Sequence, residues 1–291
     1  TALNVGASST DVLCNGGSSG TASLSVSGGT SPYTLDWGTA DTSALSAGTY
    51  TYIVTDSNGC VSTDSVSIDE PTALAQTLSA VNVSCNGGSD GSASTSVSGG
   101  TGSYNYTWTG GGTSDSISGL SIGTYVATVT DSLNCTSIDS ITIGEPLAIS
   151  LDTLVSPIVC LGDTNGTITI TASGGVGGFN YNWSNGSTDS SLTNLGSGTF
   201  SVTVTDSNNC EDSISVIIPT PQGFSFNISQ DTSICEGDTA FLSASGASNY
   251  LWSTGASASS IVVSPSGDTS YYLTATDVNN CSGLDSVAVM V

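Results

Sequence analysis

Cysteine is the residue type that offers the clearest chemistry in this chain, because its spacing is regular. The chain has eight cysteines in 291 residues, and they alternate between two positions of a repeat of about 75 residues. Cysteines at the first position are Cys14, Cys85, Cys160 and Cys235, and those at the second position are Cys60, Cys135, Cys210 and Cys281. Repeated thiols of this kind either form disulfides or bind a metal ion.

The absence of histidine favours disulfides. No histidine occurs in the chain, and no two cysteines have the Cys-x-x-Cys spacing, so a zinc site lacks its usual ligands. We therefore predict one disulfide within each repeat, which pairs the cysteines as Cys14–Cys60, Cys85–Cys135, Cys160–Cys210 and Cys235–Cys281. In the chain-entropy account, a disulfide that closes a loop of about 50 residues stabilises a domain by roughly 4 kcal/mol. Structural disulfides also indicate an oxidising, exported location.

Carboxylates recur beside both cysteine positions. Four aspartates, each preceded by threonine, lie shortly before the second-position cysteines: Asp56, Asp131, Asp206 and Asp277. A calcium site needs several converging oxygens, whereas this motif supplies one carboxylate, so we predict that each aspartate accepts backbone N–H bonds within its turn. If a calcium ion is bound, the candidate ligands are the acidic residues near first-position cysteines: Asp90, Asp163 and Asp238. No other cofactor is expected.

The charge composition excludes several classes of function. The chain has no Lys, Arg or His and 24 Asp plus Glu, which gives a net charge of −24. Without cations it cannot hold the phosphates of a nucleic acid, and an anionic membrane repels it. No apolar run approaches the ~20 residues that membrane insertion requires. Because the usual general bases His and Lys are missing, we predict that the protein is not an enzyme.

Alternating residues predict β-strands along the whole chain. Runs such as residues 49–54 and 124–129 consist of Thr, Tyr, Ile, Val and Ala, a composition typical of strands, and no helical periodicity of useful length occurs. Six or seven short antiparallel strands in about 75 residues predict a small immunoglobulin-like sandwich. The expected fold is therefore all-β, a tandem array of four such domains with one disulfide each. Each domain is predicted to bury one tryptophan between its sheets: Trp37, Trp108, Trp183 and Trp252.

Proline marks the predicted domain boundaries. The sequences at these joints are Glu70-Pro71, Glu145-Pro146 and Pro219-Thr220-Pro221. Proline removes a backbone donor and stiffens a joint, so neighbouring repeats should be semi-rigidly coupled. The predicted domains are residues 1–70, 71–145, 146–220 and 221–291. The chain starts and stops at repeat boundaries, from which we expect it to be a four-repeat segment of a longer array.

The motifs around the cysteines resemble a known repeat family. In the first repeat they read Cys14-Asn15-Gly16-Gly17, Ser27-Gly28-Gly29-Thr30 and Thr55-Asp56-Ser57-Asn58-Gly59-Cys60. They resemble the SprB repeat of giant adhesins on Bacteroidota surfaces, and the second and third repeats match equally well. The fourth repeat has a shorter spacing from Cys235 to Trp252 and lacks the Ser-Gly-Gly-Thr turn. It is more similar to the PKD-like or Ig-like modules of the same proteins.

The resemblance implies a very large secreted protein of the cell surface. Such proteins are exported by the type IX system and are used in gliding, attachment or prey capture. In such bacteria the triplet Asp-Ser/Thr-apolar is the signal for O-glycosylation. The candidate O-glycosylation residues are Ser65, Ser116, Ser132, Ser140, Thr153, Ser213, Thr239 and Ser286. The competing interpretation is that these hydroxyls simply face outward from strands.

We predict a structural role, as part of the shaft of a surface adhesin or extracellular filament on the bacterial cell surface. The expected partners are further repeats of the same long chain and identical chains in a homo-oligomeric filament, with no nucleic acid and no membrane insertion. The alternative is a carbohydrate- or surface-binding β-sandwich module. Aromatic exposure distinguishes the two, because a spacer buries its aromatic residues and a lectin presents an aromatic platform.

Overall fold

The computed structural model describes residues 1–291 and consists of strands and turns without a helix. Strand residues alternate in burial, as in the strand Gly91–Ser98, where every second residue of the first five is buried. This period of two is the pattern expected of strands with one face in a core. The predicted all-β fold is therefore confirmed.

The second and third repeats show the full arrangement. The second repeat contains β6 (Ala75–Val81), β7 (Gly91–Ser98), β8 (Asn105–Trp108), β9 (Ser116–Leu120), β10 (Gly123–Thr130) and β11 (Thr136–Ile143). The third contains β12 (Ser150–Ser156), β13 (Gly166–Ser173), β14 (Asn180–Trp183), β15 (Ser191–Leu195), β16 (Gly198–Thr205) and β17 (Glu211–Ile218). In each, two three-stranded antiparallel sheets form a sandwich, with strand orders β6-β7-β9 and β11-β10-β8, then β12-β13-β15 and β14-β16-β17.

The outer two repeats vary this arrangement. The first repeat contains β1 (Asn4–Thr10), β2 (Thr21–Ser27), β3 (Thr34–Asp36), β4 (Gly48–Thr55) and β5 (Val61–Ile68). An isolated bridge between Gly20 and Leu45 stands where the other repeats have an additional strand. The fourth contains β18 (Asn227–Ile228), β19 (Thr232–Ser233), β20 (Ala240–Ser245), β21 (Asn249–Trp252), β22 (Ser260–Val263), β23 (Thr269–Thr276) and β24 (Ser282–Met290). Its short β19 pairs in parallel with β24, which makes one of its two sheets four-stranded.

Each repeat has its own hydrophobic core. Four clusters of buried side chains occur, and each is confined to one repeat. The chain divides into two compact units, Thr1–Pro146 and Leu147–Val291, and each unit contains two repeats. The finer division into four domains stays a prediction. No helix of the structure is long and apolar enough to cross a membrane.

The predicted tryptophans occupy two kinds of environment. Trp108, Trp183 and Trp252 are buried, and the indole N–H of each donates to a backbone carbonyl six residues later. Trp37 is half-buried and lies against Tyr52, with ring centroids 5.2 Å apart. Tyr52 is itself buried, and the residues aligned with it in the other repeats are smaller. The larger ring therefore takes core volume that the tryptophan fills elsewhere.

The two ends of each sandwich can be told apart by their hydrogen bonds, and we call them the N-terminal and C-terminal poles. At the N-terminal pole of the first repeat, Gly29 N–H donates to the Thr1 carbonyl at 3.2 Å. Thr30 N–H donates to Asp56 Oδ2 at 2.9 Å, which places the turn that carries Cys60 at this pole. The chain thus enters the repeat beside its second-position cysteine.

The first-position cysteine lies at the opposite, C-terminal pole. Gly16 N–H donates to Glu70 Oε2 at 2.6 Å, so the turn that begins at Cys14 contacts the joint where the chain leaves the repeat. Strand β5 runs from one pole to the other, and its eight residues span about 27 Å. A disulfide requires Cα atoms within about 7 Å. The two cysteines of one repeat are therefore too far apart to bond.

The predicted disulfide pairing within repeats is wrong for this reason. Cys14 is bonded to Cys135 and Cys160 to Cys281, so each bond joins the C-terminal pole of one repeat to the second-position cysteine of the next repeat in the same unit. Cys60 and Cys235 are free, exposed thiols. These findings overturn all four predicted pairs: Cys14–Cys60, Cys85–Cys135, Cys160–Cys210 and Cys235–Cys281. Cys85 and Cys210 are each disulfide-bonded.

Candidate functional site: the disulfide junction between repeats

The candidate functional site is the junction at which two successive repeats are cross-linked. It consists of a first-position cysteine with its turn, the joint that follows, and a second-position cysteine held by an aspartate. In the first unit the Cα atoms of Cys14 and Cys135 are 5.6 Å apart, and in the second unit those of Cys160 and Cys281 are 5.3 Å apart. Both bonds join residues that are separated by 121 positions.

The turn at the first-position cysteine has the same backbone geometry in all four repeats. The residue three positions after the cysteine donates its N–H to the cysteine carbonyl, at 2.9 to 3.1 Å. The residues that follow the four cysteines differ, as a comparison of Cys14-Asn15-Gly16-Gly17 with Cys235-Glu236-Gly237-Asp238 shows. The geometry therefore depends on the turn itself, which in the first and third repeats presents the cysteine to the next repeat.

Asparagine and glycine of this turn bind the joint in the first two repeats. Asn15 Nδ2 donates to the Pro71 carbonyl at 3.1 Å, next to the bond from Gly16 to Glu70. In the second repeat, Asn86 Nδ2 donates to the Pro146 carbonyl at 3.1 Å and Gly87 N–H donates to Glu145 Oε2 at 2.7 Å. The Cys-Asn-Gly-Gly motif and the Glu-Pro joint thus form one hydrogen-bonded cluster in each of these two repeats.

An aspartate holds the second-position cysteine. Asp131 Oδ1 accepts from the N–H groups of Leu133 and Cys135, both at 2.9 Å, and its Oδ2 accepts from Thr101 N–H at 2.9 Å. Equivalent bonds hold Asp56 and Asp206, which are also buried. In the fourth repeat, Asp277 accepts from the N–H groups of Asn279 and Cys281. The predicted turn role of these four aspartates is confirmed by these bonds.

These hydrogen bonds act on the acidity of the carboxylates. The Cys60 N–H, with help from Thr30 and Asn58, holds the pKa of Asp56 below its ordinary value although burial opposes this. For Asp131, burial by itself would raise the pKa, but the three backbone donors outweigh it and the pKa is lowered. The pKa of Asp206 is lowered in the same way. The three carboxylates are thus stabilised in their charged form without any cation.

A glycine lets the neighbouring turn approach the carboxylate. Gly100, the second glycine of the Ser-Gly-Gly-Thr turn, has φ of 64°, and a Cβ atom added to it would lie 2.9 Å from Asp131 Oδ2. Only glycine combines this backbone conformation with so close an approach. Part of the family motif is therefore explained by the need to pack a backbone turn on the aspartate that holds the cysteine.

The candidate calcium ligands do not converge. Asp90 accepts hydrogen bonds from the backbone N–H and the hydroxyl of Ser84, and Asp163 Oδ2 accepts from Cys160 N–H at 3.3 Å. No group of three or more His, Cys, Asp or Glu side chains that could hold a metal ion occurs around Asp90, Asp163, Asp238 or elsewhere. The first two of these carboxylates thus bind their own cysteine turns.

The candidate O-glycosylation residues all lie on the surface. Each of the following is exposed: Ser65, Ser116, Ser132, Ser140, Thr153, Ser213, Thr239 and Ser286. Four of them follow an aspartate on the last strand of a repeat, and there the serine N–H donates to Oδ1 of that aspartate at 2.8 Å. The hydroxyl groups are therefore accessible to a modifying enzyme.

Sequence reasoning missed the two free thiols and the junction. The signal that could have found them is a recurrence of two pairs of motifs. Asn-Gly after the first-position cysteine recurs with Glu-Pro at the joint, and Gly-Thr recurs with the Asp before the second-position cysteine. The two pairs assign the two cysteines to different poles. Aromatic exposure was also uneven. Only Phe241 and Tyr272 are exposed among the aromatic residues, and both lie in the fourth repeat.

Comparisons with solved structures return tandem β-domain proteins of low similarity. A tetra-tandem repeat in the extending region of a large adhesion protein is 17% identical, with 98% of this chain and 90% of that chain covered and a TM-score of 0.29. Surface layer protein SbsC, domains 1–6, is 14% identical, with 100% and 54% covered and a TM-score of 0.29. The eight N-terminal Ig domains of Down Syndrome Cell Adhesion Molecule are 13% identical, with 84% and 38% covered and a TM-score of 0.31. The chain thus spans about a third to a half of the length of the last two, and these scores carry no functional argument.

The family comparison is specific. No curated protein matches the chain. The SprB repeat family matches three times, at residues 6–42, 77–113 and 153–188, which are the first halves of the first three repeats. These ranges contain the first-position cysteine turns and the Ser-Gly-Gly turns that carry the resemblance; the residue after Ser-Gly-Gly is Thr in the first two and Val176 in the third. The resemblance to SprB repeats is therefore confirmed for these three segments of the chain.

Proposed function

We propose that this chain is a tension-bearing segment of the shaft of a very large surface adhesin or extracellular filament, used for attachment, gliding or prey capture. The observation that carries the proposal is the disulfide between successive repeats within each unit. A bond within a repeat protects only that repeat, whereas a bond from one repeat to the next also protects the joint. Joints are the weakest points of a tandem array, because each repeat contacts mainly its neighbours.

The disulfides shorten the covalent path that carries tension. Force applied at the two ends passes from Cys14 directly to Cys135 and from Cys160 directly to Cys281, so most of the chain lies in closed loops outside this path. Roughly 50 residues remain in the path, which at ~3.6 Å per residue extend to about 18 nm. The whole chain of 291 residues would extend to about 105 nm at the same rise. A shaft built in this way resists lengthening even when its sandwiches unfold.

Several features support a location on the outside of a cell surface. The eight candidate O-glycosylation residues are accessible, and glycans on them would shield the strand edges. The chain has no Lys or Arg, so it contains no trypsin site. The SprB repeats support export by the type IX system, a non-catalytic role and association with further repeats of the same chain. Identical chains could assemble laterally into a filament through the uncharged Ser- and Thr-rich faces.

Single-molecule force spectroscopy tests the proposal. The chain, held by its two ends under non-reducing conditions, should reach a maximum length near 18 nm (about 3.6 Å for each residue in the path). The same chain with dithiothreitol should lengthen severalfold further. The control is a variant with all eight cysteines replaced by serine, which should extend fully without reductant; all eight are replaced because Cys85 and Cys210 are also disulfide-bonded. If the untreated chain extends as far as the reduced one, the shaft proposal in this form is wrong.

The alternative function, glycan binding, is supported only in the fourth repeat. Phe241 is 66% exposed and Tyr272 is 53% exposed, whereas the aromatic residues of the other repeats are buried or half-buried. Exposed aromatic rings are the usual platform for a sugar face. A glycan array probed with the chain, and with a Tyr272→Ala variant and a Phe241→Ala variant, tests this function; binding that both variants retain would contradict it.

A further inference from the structure

The two free thiols of the chain are unlike its other six cysteines. Cys60 and Cys235 are exposed, whereas the bonded cysteines are half-buried or buried. They also occupy different repeat positions, because Cys60 is a second-position cysteine of the first repeat and Cys235 is a first-position cysteine of the fourth. The chain therefore presents one unpaired thiol of each kind.

Both thiols are held in the geometry of bonded cysteines. Cys60 N–H donates to Asp56 Oδ1 at 2.8 Å, and the bonded Cys135 and Cys281 make the same contact with their aspartates at 2.9 Å. Cys235 accepts at its carbonyl from Asp238 N–H at 3.0 Å, as the bonded Cys160 accepts from Asp163 N–H at 3.1 Å. Each free thiol thus lies in a turn that elsewhere in the chain presents its sulfur to a partner.

The two disulfides resolved within the units define a direction. In both, a first-position cysteine bonds to the second-position cysteine of the next repeat, 121 residues later. By this pattern Cys60 requires a first-position cysteine from a repeat on its N-terminal side. Cys235 requires a second-position cysteine from a repeat on its C-terminal side. Neither kind of partner is supplied by the repeat in which the thiol lies, because the two poles are a strand length apart.

We propose that Cys60 and Cys235 are the two open ends of a disulfide ladder that continues into flanking repeats of the same type. Each ladder bond forms when two thiols lose two protons and two electrons to an oxidised protein dithiol of the export compartment, by thiol–disulfide exchange. One S–S bond forms in the shaft and one S–S bond of the oxidant is reduced to two thiols. This inference concerns covalent assembly and does not depend on the adhesive role.

A fusion of two copies of the chain supplies both partners. The copies are joined through one proline, which takes the place that Pro71 has at the natural joint. Cys60→Ser in the first copy and Cys235→Ser in the second leave one free thiol of each kind, facing the new junction. The expected result is a fused monomer without a titratable thiol, and a non-reduced digest that contains one linked peptide pair with Cys235 and Cys60.

Two controls make the outcome decisive. The unfused chain, taken as its monomer fraction, should keep two titratable thiols under the same oxidising conditions. The fusion that also carries Cys60→Ser in the second copy should keep one, that of Cys235. The proposal is overturned if the first fusion retains both thiols, if Cys60 and Cys235 already bond within the unfused monomer, or if Cys235 is recovered linked to Cys281. Bonds that form only between separate fusion molecules would overturn it as well.

Discussion

Cys14 and Cys135 are bonded across two successive repeats, with Cα atoms 5.6 Å apart and a separation of 121 positions along the chain. This bond joins a turn that contacts the Glu70-Pro71 joint to a turn that is held by Asp131. Neither repeat can therefore rotate freely about the joint while the bond is intact. The cross-link, the joint and the buried aspartate act together, and each can be tested separately.

Removal of the cross-link should destabilise the first unit more than removal of a free thiol. The double variant Cys14→Ser/Cys135→Ser should lose about 2–5 kcal/mol in the free energy of unfolding, because the loop it opens is long. The Cys60→Ser variant should change it by less than about 0.5 kcal/mol, as is usual for a surface substitution. Urea denaturation followed by tryptophan fluorescence measures both. Equal effects of the two variants would contradict the observed pairing.

Asp131 should make the stability of the second repeat depend on pH. Its pKa is lowered in the folded state, so its contribution is present above the unfolded value of about 4 and is lost as the pH falls through the folded value. Asp131→Asn should be less stable than the parent at pH 7, and the difference should narrow below about pH 4. Chemical denaturation across pH 2 to 7 measures this.

The exposed Asp139 serves as the matched control for that experiment. Asp139→Asn lies on the outer side of strand β11 and should leave both the stability and its pH profile close to those of the parent. If the free energy of unfolding of Asp131→Asn differs from that of the parent by the same amount at every pH, the charge of this carboxylate does not contribute to stability as described.

Gly100 should tolerate no side chain, because its turn packs on the same carboxylate. Gly100→Ala introduces a Cβ atom 2.9 Å from Asp131 Oδ2 in addition to the strain of a positive φ. Gly87→Ala has a similar φ of 72° but no atom within 4 Å of the added Cβ, so it isolates the strain. We expect Gly87→Ala to lower the free energy of unfolding by about 1 kcal/mol and Gly100→Ala to lower it clearly more. Thermal unfolding of the two variants gives the comparison, and equal losses would contradict the role of the contact.

Trp183 and Trp37 should differ in how much each contributes to the free energy of unfolding. Trp183 is buried and donates to the Asp189 carbonyl at 2.8 Å, so Trp183→Ala should cost about 3–5 kcal/mol. Trp37→Ala should cost less, since Tyr52 already fills the centre of that core. Denaturation midpoints of the two variants in the full chain test this. A larger loss for Trp37 would show that the buried tyrosine does not compensate.

Much of the fold follows directly from the sequence. Small all-β sandwiches were predicted from the period-two alternation, the regular cysteines and the single tryptophan of each repeat. The aspartate turn was predicted from the Thr-Asp motif. These features are local, because each depends on residues within a few positions of one another. The SprB resemblance was likewise read from short motifs, and it is confirmed by the family matches.

The disulfide pairing could not be obtained in the same way, because it depends on how many times the chain crosses the sandwich. Strand β8 ends at Trp108, opposite Ala127, and β9 begins at Ser116, opposite Ser94, so each of them covers only about half the length of its partner strand. Strands β7 and β10 both run toward the pole at which Thr101 N–H donates to Asp131, so their antiparallel partners β8 and β9 run in one direction and together make a single crossing. A count of strands from alternation alone treats β8 and β9 as two crossings and therefore places both cysteines of a repeat at one pole.

Disulfide mapping of the non-reduced chain tests the central claim most directly. Trypsin has no site here, but an acidic residue lies between every two successive cysteines, so proteases specific for Asp and Glu separate all eight cysteines into different peptides. The structure predicts linked peptides that contain Cys14 with Cys135 and Cys160 with Cys281, and alkylated peptides that contain Cys60 and Cys235. Linked peptides that contain Cys14 with Cys60, or Cys235 with Cys281, would contradict the account.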